Sequence, residues 1–271
     1  MDSLTRHIIV SPHLDDAALS LGGWIGALVA RGAPVTVVTV FSAAETQTLS
    51  PLARELHRAW GAEANPIAVR QREDEQAMHL LGATRQYLHE LDALYRFPDF
   101  QQAEDLFRRQ APEENLKARI KTALEPLTTS PHSAVQLYFP LGIGGHVDHR
   151  LVASLGFELS AEGVHPHFYE ELPYALIKGS LATRQSECPI ELYPTVLDVT
   201  HTFALRLDAI EKYSSQLEML FASSDGMRQA LTRYATGLCE APSRRGERLW
   251  STSERSQTDL QNSIGDLRLH L

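Results

Sequence analysis

Two short segments carry the residue types that perform hydrolytic chemistry. One is Ser11-Pro12-His13-Leu14-Asp15-Asp16, an imidazole and two adjacent carboxylates directly after an apolar run. The other is Gly142-Ile143-Gly144-Gly145-His146-Val147-Asp148-His149, two imidazoles and a carboxylate behind a glycine-rich turn. Imidazole nitrogen and carboxylate oxygen are ordinary zinc donors, and a catalytic zinc keeps three protein ligands and leaves one position for water. His13 and Asp16 are three residues apart, so a turn entering a helix points both inward, and a third ligand from the His-Val-Asp-His segment completes a His-Asp-His set. Asp15 is then free to act as general base on the metal-bound water, whose pKa zinc lowers to ~7. Taken singly, these residues have plain structural uses: Asp15 and Asp16 suit a helix N-cap, and His146 to His149 suit a solvated helix start. Two such clusters, each behind a strand-like segment, point instead to one site.

The elements that must position them are legible as an alternation of periods. Arg6 to Pro12 is a continuous β-branched run, as in a strand buried on both faces, and Asp16 to Arg31 is helical, ending at Gly32 in a C-terminal cap position. Pro34 to Phe41 is a second buried strand. Helical patterns recur over Pro51 to Gly61 and over Ile67 to Leu81, the latter stopped by Gly82, and Gln86 to Leu91 and Val135 to Pro140 are weaker strands. This β-α-β-α order predicts an α/β fold, Rossmann-like, with a mostly parallel sheet and helices on both faces. In such a sheet ligands bind beyond the carboxyl ends of the strands, which is where both clusters fall. Farther on, Val164 to Ala175 and Glu191 to Val199 read as strands, His201 to Phe221 as one long helix and Asp225 to Leu238 as another. That C-terminal part is expected to complete the sheet and wall the cleft. No linker, repeat or low-complexity tract interrupts the chain, so residues 1–271 read as a single domain.

Composition narrows the function classes. With 43% hydrophobic and 22% charged residues, the 271-residue chain matches an ordinary globular core. Its 25 basic against 34 acidic residues, a net charge of −9, disfavour a nucleic-acid or anionic-membrane partner. Two cysteines, Cys188 and Cys239, allow at most one disulfide. Met1 to Val10 reads as the first strand and not as a signal peptide, and no apolar run is long enough to span a bilayer, so a cytoplasmic location is the expectation. A phosphate-binding module is disfavoured: no Gly-x-Gly-x-x-Gly follows the first strand, no Walker-type loop occurs, and Gly22-Gly23 falls inside the first helix. A metal-dependent phosphoesterase needs more carboxylates or a second metal than the pattern supplies. The histidines outside the two motifs, His132 and His270 among them, suggest no second centre; His165 and His167 alternate on a strand as structural residues.

At these residues the sequence resembles the PIG-L/LmbE family of zinc-dependent N-acetylglucosaminyl deacetylases. The family's Pro/Ala-His-x-Asp-Asp motif is matched by Pro12 to Asp16, and its His-x-Asp-His by His146 to His149. Arg70, Glu73, Ala77, Leu81 and Gly82 stand at the spacing of an intervening family pattern, and Tyr169 to Tyr174 is similar to a Tyr-Glu-Asp-Leu-Pro-Tyr element of some members. The resemblance implies His13, Asp16 and His149 as zinc ligands and Asp15 as general base. It implies His146 as a protonated group that stabilises the oxyanion and donates to the leaving amine, with Asp148 orienting that imidazole. Arg70 and Asp92 are implied sugar contacts; the structural alternative for Arg70 is a buried pair with Glu73. Glu170 and Glu171 are as compatible with solvated strand positions as with substrate contact. Some members carry a tyrosine just before the second motif; here Gly142 to Gly145 stand instead, and Tyr95 and Tyr174 are the candidates to fill that role. The implied activity is removal of an acetyl group from an N-acetylglucosamine-type conjugate, the alternatives being an amidase for thiol conjugates of an amino sugar and a non-catalytic metal- or sugar-binding protein. The implied partner is a small N-acyl amino-sugar substrate, with a homo-oligomer open.

Overall fold

A computed structural model of the chain describes residues 5–44, 49–61, 65–128 and 134–265. The chain runs through β1 (Arg6–Ser11), α1 (Asp16–Ala30), β2 (Val35–Ala43), α2 (Pro51–Ala59), α3 (Pro66–Leu81), β3 (Thr84–Leu91), α4 (Ala93–Arg96), α5 (Glu114–Thr128), β4 (Val135–Pro140) and α6 (Val147–Ala161). It continues through β5 (His167–Tyr169), α7 (Ser180–Ser186), β6 (Tyr193–Asp198), α8 (Phe203–Ile210), α9 (Ser214–Phe221), α10 (Ser224–Gly237), β7 (Gly246–Ser251) and α11 (Glu254–Gly265). Seven strands form one sheet in the order β3-β2-β1-β4-β5-β7-β6. The first five are parallel, and β7 is antiparallel to both β5 and β6.

Side-chain alternation along β1 explains why both faces must be covered. Ile9 enters a core shared with α1, α3, α8 and α10, while Ile8 and Val10 enter a second core shared with α5 and α6. The chain builds outward from β1 to β2 and β3, then returns to lay β4 on the other side of β1. The point between β1 and β4 is therefore a topological switch, the crevice where open α/β sheets bind ligands.

Helix α1 packs tightly because it presents three glycines, Gly22, Gly23 and Gly26, to its neighbours. A Cβ on Gly22 would meet Arg206 Cγ at 2.8 Å, and one on Gly23 would meet Glu247 Oε1 and Val199 Cβ, both at 2.8 Å. Arg206 and Glu247 are themselves buried and paired at 3.1 Å, with Glu247 also accepting the N–H groups of Gly23 and Trp24 at 2.8 Å each.

Three expectations change. Val164 to Ala175 is not one strand: β5 spans only His167–Tyr169, after which Glu170 and Glu171 turn inward and residues 174–176 form a 3₁₀ turn. His165 is therefore exposed while His167 is buried, and the two do not share a strand face. The single helix expected over His201 to Phe221 is α8 and α9, broken where Tyr213 leaves helical geometry. At the break Ser214 Oγ and both the N–H and Oγ of Ser215 donate to Glu73, so a polar anchor on α3 overrides helical periodicity. Strand β7 was not anticipated from the sequence pattern. Both cysteines are free. Among the described residues no helix is long and apolar enough to cross a membrane.

Candidate active site

The turn leaving β1 is locked by its own side chains. Ser11 Oγ donates to the carbonyl of His13 at 2.7 Å and accepts the N–H of Ala17, while the N–H of His13 donates to Asp16 Oδ2 at 2.8 Å. Asp15 occupies the N-cap position of α1 but makes no capping bond. Its carboxylate accepts instead from Arg70 Nη2 at 3.1 Å, so the capping alternative does not account for it.

The turn leaving β4 uses glycines where the backbone has positive φ, at Gly142 (+87°) and Gly144 (+79°) among them. A Cβ on Gly144 would lie 2.6 Å from the Tyr174 ring, so the bare glycine is what lets that ring approach. His146 then caps α6, its Nδ1 accepting the N–H of Asp148 at 3.2 Å, and His149 sits in the first turn.

These two strand ends converge. His13 Nδ1 and His149 Nε2 each lie 3.3 Å from Asp16 Oδ2, neither aligned as a hydrogen bond to it, and buried His149 Nε2 has no hydrogen-bond partner. Two ligands held ~2.0–2.1 Å from a tetrahedral ion stand ~3.3–3.4 Å apart; both nitrogen–carboxylate separations match that spacing, and the three atoms all lie within 4.8 Å of one another. The far nitrogens are fixed by carboxylates: His13 Nε2 contacts Asp148 Oδ2 at 3.0 Å, and His149 Nδ1 contacts Glu171 Oε1 at 3.3 Å. This carboxylate–histidine arrangement sets tautomer and ring direction in metal sites. A second grouping, His13, His146 and Asp148, is also close enough to hold an ion. It fits less well, because Asp148 is already engaged by Arg96 at 2.7 Å, the N–H of Ala93 at 3.0 Å and His13. Both groupings belong to this one centre, and they are the ones found among the described residues. His132 and His270 lie outside the described residues.

Charge balance points the same way. Asp15, Asp16, Asp92, Asp148 and Glu171 are all buried here, against the guanidiniums of Arg70 and Arg96. Burial opposes charge on His149, yet Asp16 and Glu171 outweigh it and raise its pKa to about 9. His13 is likewise raised well above the usual range, burial being outweighed by Asp92, Asp148 and Asp16. Burial resists ionisation of Asp16, but His149 and His13 hold it well below the usual carboxylate range. Two imidazoles drawn toward the protonated state by surrounding carboxylates mark a position that takes positive charge, and a metal displaces such protons on binding. Burial, together with neighbouring Asp16, outweighs Arg70 and lifts the Asp15 carboxyl. His146 is pushed the other way, by burial and by the charge of His13.

The other implied residues have contacts of their own. The Asp148 carboxylate is hydrogen-bonded to His13, Arg96 and the Ala93 N–H; it lies within 4.8 Å of a His146 ring nitrogen without a hydrogen bond to it, and its charge there opposes the effect of burial on His146. The His146 Nδ1 accepts a backbone N–H, which leaves Nε2 as the ring position that carries a proton. Arg70 pairs with Asp15 and not with Glu73, and its guanidinium lies 5.0 Å over the Trp60 ring. Asp92 caps α4 through the N–H of Leu94 at 2.9 Å while lining the cavity, with Oδ2 3.4 Å from His13 Nε2. Tyr95 bonds His57 at 2.8 Å, whereas Tyr174 lines the cavity with its ring 5.2 Å from that of His149. Glu171, open to a solvated reading in the sequence, is fully buried and also accepts the N–H groups of Leu141, Gly142 and Ile143. Glu170 is buried beneath the sheet, accepting from Trp250 Nε1 and Arg248.

Comparison with known proteins agrees with this architecture. Over 261 residues, 91% of this chain and 89% of the relative, the chain is 30% identical to a 2'-N-acetylparomamine deacetylase of Streptomyces fradiae. A deacetylase of the teicoplanin biosynthesis pathway superposes with a TM-score of 0.77 at 27% identity, covering 91% of this chain and 97% of the other. The zinc-inhibited form of a teicoplanin deacetylase superposes with a TM-score of 0.74 at 26% identity, covering 91% and 97%. The family model for GlcNAc-PI de-N-acetylase matches residues 8–160, a span that holds both strand ends and every residue of the His13–Asp16–His149 cluster. The chain belongs to the PIG-L family.

Proposed function

We propose that this protein is a zinc-dependent deacetylase that hydrolyses the N-acetyl amide of a glucosamine-type sugar in a larger conjugate. The observation that carries the reading is the approach of His13 Nδ1 and His149 Nε2 to Asp16 Oδ2, beside an Asp15 that Arg70 holds at the same cavity. The deacetylase names of relatives at 25–30% identity support the reaction class, as does the His-Asp-His donor set, which suits zinc. When bound by His13, Asp16 and His149, zinc supplies Lewis acidity and water of pKa ~7.

The chain's own residues divide the remaining work. Asp15 accepts a proton from the attacking water and, as a carboxylic acid that burial favours, returns it to the departing nitrogen. Arg70 keeps that carboxylate turned into the cavity instead of onto the helix it would otherwise cap. His146, with Nδ1 taken by a backbone N–H, has its Nε2–H left to donate to the developing oxyanion as a neutral imidazole. Asp148 and Glu171 hold His13 and His149 in the tautomers a cation needs.

The test combines metal content and turnover. Wild type should carry about one zinc per chain, lost in His149→Ala, and should release acetate from N-acetylglucosamine conjugates. Asp15→Ala should keep its metal while turnover falls by roughly 10²–10⁴-fold. Full activity in that variant refutes the assignment.

A further inference from the structure

The active-site cavity is small and two-sided. At about 240 Å³ it lies below the ~300–1,000 Å³ that encloses a drug-sized ligand, so it takes the reacting end of a substrate and leaves the rest at the mouth. Its ionisable lining among the described residues is His13, Asp15, Asp16, Arg70, Asp92 and His146, all buried. Beside the buried Leu19 of α1 and Leu94 of α4, the remaining lining is almost wholly apolar and comes from four separate stretches, represented by Trp60 after α2, Leu106 and Phe107 in a 3₁₀ turn, Tyr174 after β5, and Met219 with Leu220 in α9.

Two of these side chains stand open to solvent, Phe107 at 41% and Met219 at 47%. Single exposed apolar residues are ordinary. Apolar side chains converging from four stretches on the entrance of a carboxylate-rich site are not, and such patches mark binding surfaces. Phe107 is also held in place, its ring edge-on to His146 at 5.6 Å and to Tyr174 at 6.0 Å, so it continues the wall of the site outward. In a chain of net charge −9, no acidic side chain among the described residues lines the cavity beyond its buried base.

We propose that this mouth is an aglycone subsite that selects amino-sugar glycosides bearing an uncharged apolar group, aryl or alkyl, over small polar or polycationic ones. The proposal rests on the deacetylase reading above and adds the class of substrate. A polycationic aglycone would call for carboxylates at the rim, and the rim offers Phe107 and Met219. Transfer of an aryl ring or a short alkyl chain from water onto such a surface yields discrimination of roughly 10- to 100-fold.

The experiment compares the methyl, hexyl and 4-nitrophenyl glycosides of N-acetylglucosamine, and an N-acetylated aminoglycoside as the cationic probe, by acetate release. The expected kcat/KM for the hexyl and aryl glycosides exceeds that for the methyl glycoside by at least about 10-fold. In the double variant Phe107→Ala/Met219→Ala that ratio should fall toward one; both side chains are exposed, so folding is not at stake. A ratio near one in the wild type, or a preference for the cationic probe, overturns the proposal while leaving the deacetylase intact. A parallel calorimetric titration with methyl and hexyl glucosaminide, which carry no acetyl group, reads the subsite even if no substrate is hydrolysed. Tighter hexyl binding that the double variant abolishes supports it, and equal binding overturns it.

Discussion

Replacing Glu171 with Gln separates what the site needs from what the fold needs. Each carboxylate oxygen receives two donors: Oε1 faces the N–H of Gly142 at 2.6 Å and His149 Nδ1 at 3.3 Å, and Oε2 faces the N–H groups of Leu141 and Ile143 at 3.1 and 3.3 Å. Glutamine keeps one oxygen and turns an NH₂ toward the other pair; because the Leu141 N–H also donates to the Tyr169 carbonyl at 2.9 Å, at least one buried donor, that of Gly142 or of Ile143, loses its acceptor. At about 1–3 kcal/mol for a stranded donor, the apo protein should lose roughly 1–3 kcal/mol of unfolding free energy. Removing the negative charge behind His149 also makes its imidazole a poorer ligand, for which second-shell losses of about 10–100-fold in metal affinity are typical. Urea unfolding of the metal-free protein reads the first effect, and chelator competition on folded protein reads the second. Wild-type affinity in a folded Glu171→Gln protein would refute the role of Glu171 in orienting His149. Wild-type stability would refute its role in holding the β4 turn.

Three further outcomes follow from other buried groups. Burial lifts the Asp74 carboxyl to about 6 although Tyr87 and Tyr213 both donate to it. A folded-state pKa above the unfolded value of ~3.9 stabilises the fold below about pH 4, and the gain is lost as pH rises through about 6. Between pH 4 and 7, urea unfolding should therefore show wild type losing about 3 kcal/mol relative to Asp74→Asn; a flat difference contradicts the shift. Glu247→Ala strands the Arg206 guanidinium inside the protein and should cost about 3–5 kcal/mol by denaturant titration, a loss under about 1 kcal/mol ruling out a structural pair. Gly144→Ala sets a Cβ against the Tyr174 ring at positive φ, and a drop of about 1–3 kcal/mol with a raised KM is expected; unchanged kinetics would detach Tyr174 from substrate binding.

The parts of the fold that could be read from sequence were those in which one local signal governs. β1, β2 and β4 are continuous apolar runs because both faces of a parallel sheet are covered, and Gly32 and Gly82 end α1 and α3 with the positive φ a C-terminal cap uses. The misread elements are those whose boundaries depend on distant partners. α8 and α9 look continuous until Glu73, some 140 residues earlier, takes Ser214 and Ser215. β5 looks longer than it is because apolar and aromatic residues continue past Tyr169, while Glu170 and Glu171 are drawn to Trp250, Arg248 and the β4 turn.

The same division runs through the site. His13, Asp15, Asp16, His146, Asp148 and His149 were legible because each lies at a strand end in a short motif, where a few residues of spacing decide direction. Their partners were not: Arg96 sits in a segment without a motif, and Glu171, although inside the Tyr169–Tyr174 element, gains its place behind His149 only through sheet order. β1 lies beside β4, and β4 beside β5, so the end of β5 delivers Glu171 behind His149, while α4 delivers Arg96 behind Asp148 and thereby behind His13. His13 and His149 are thus each backed by a carboxylate that is itself anchored, one by a guanidinium and a backbone N–H, the other by three backbone N–H groups. That symmetry explains why Asp148 faces His13 and not its neighbour His146. Held on His13, Asp148 leaves the His146 ring without a carboxylate hydrogen bond, lining the cavity.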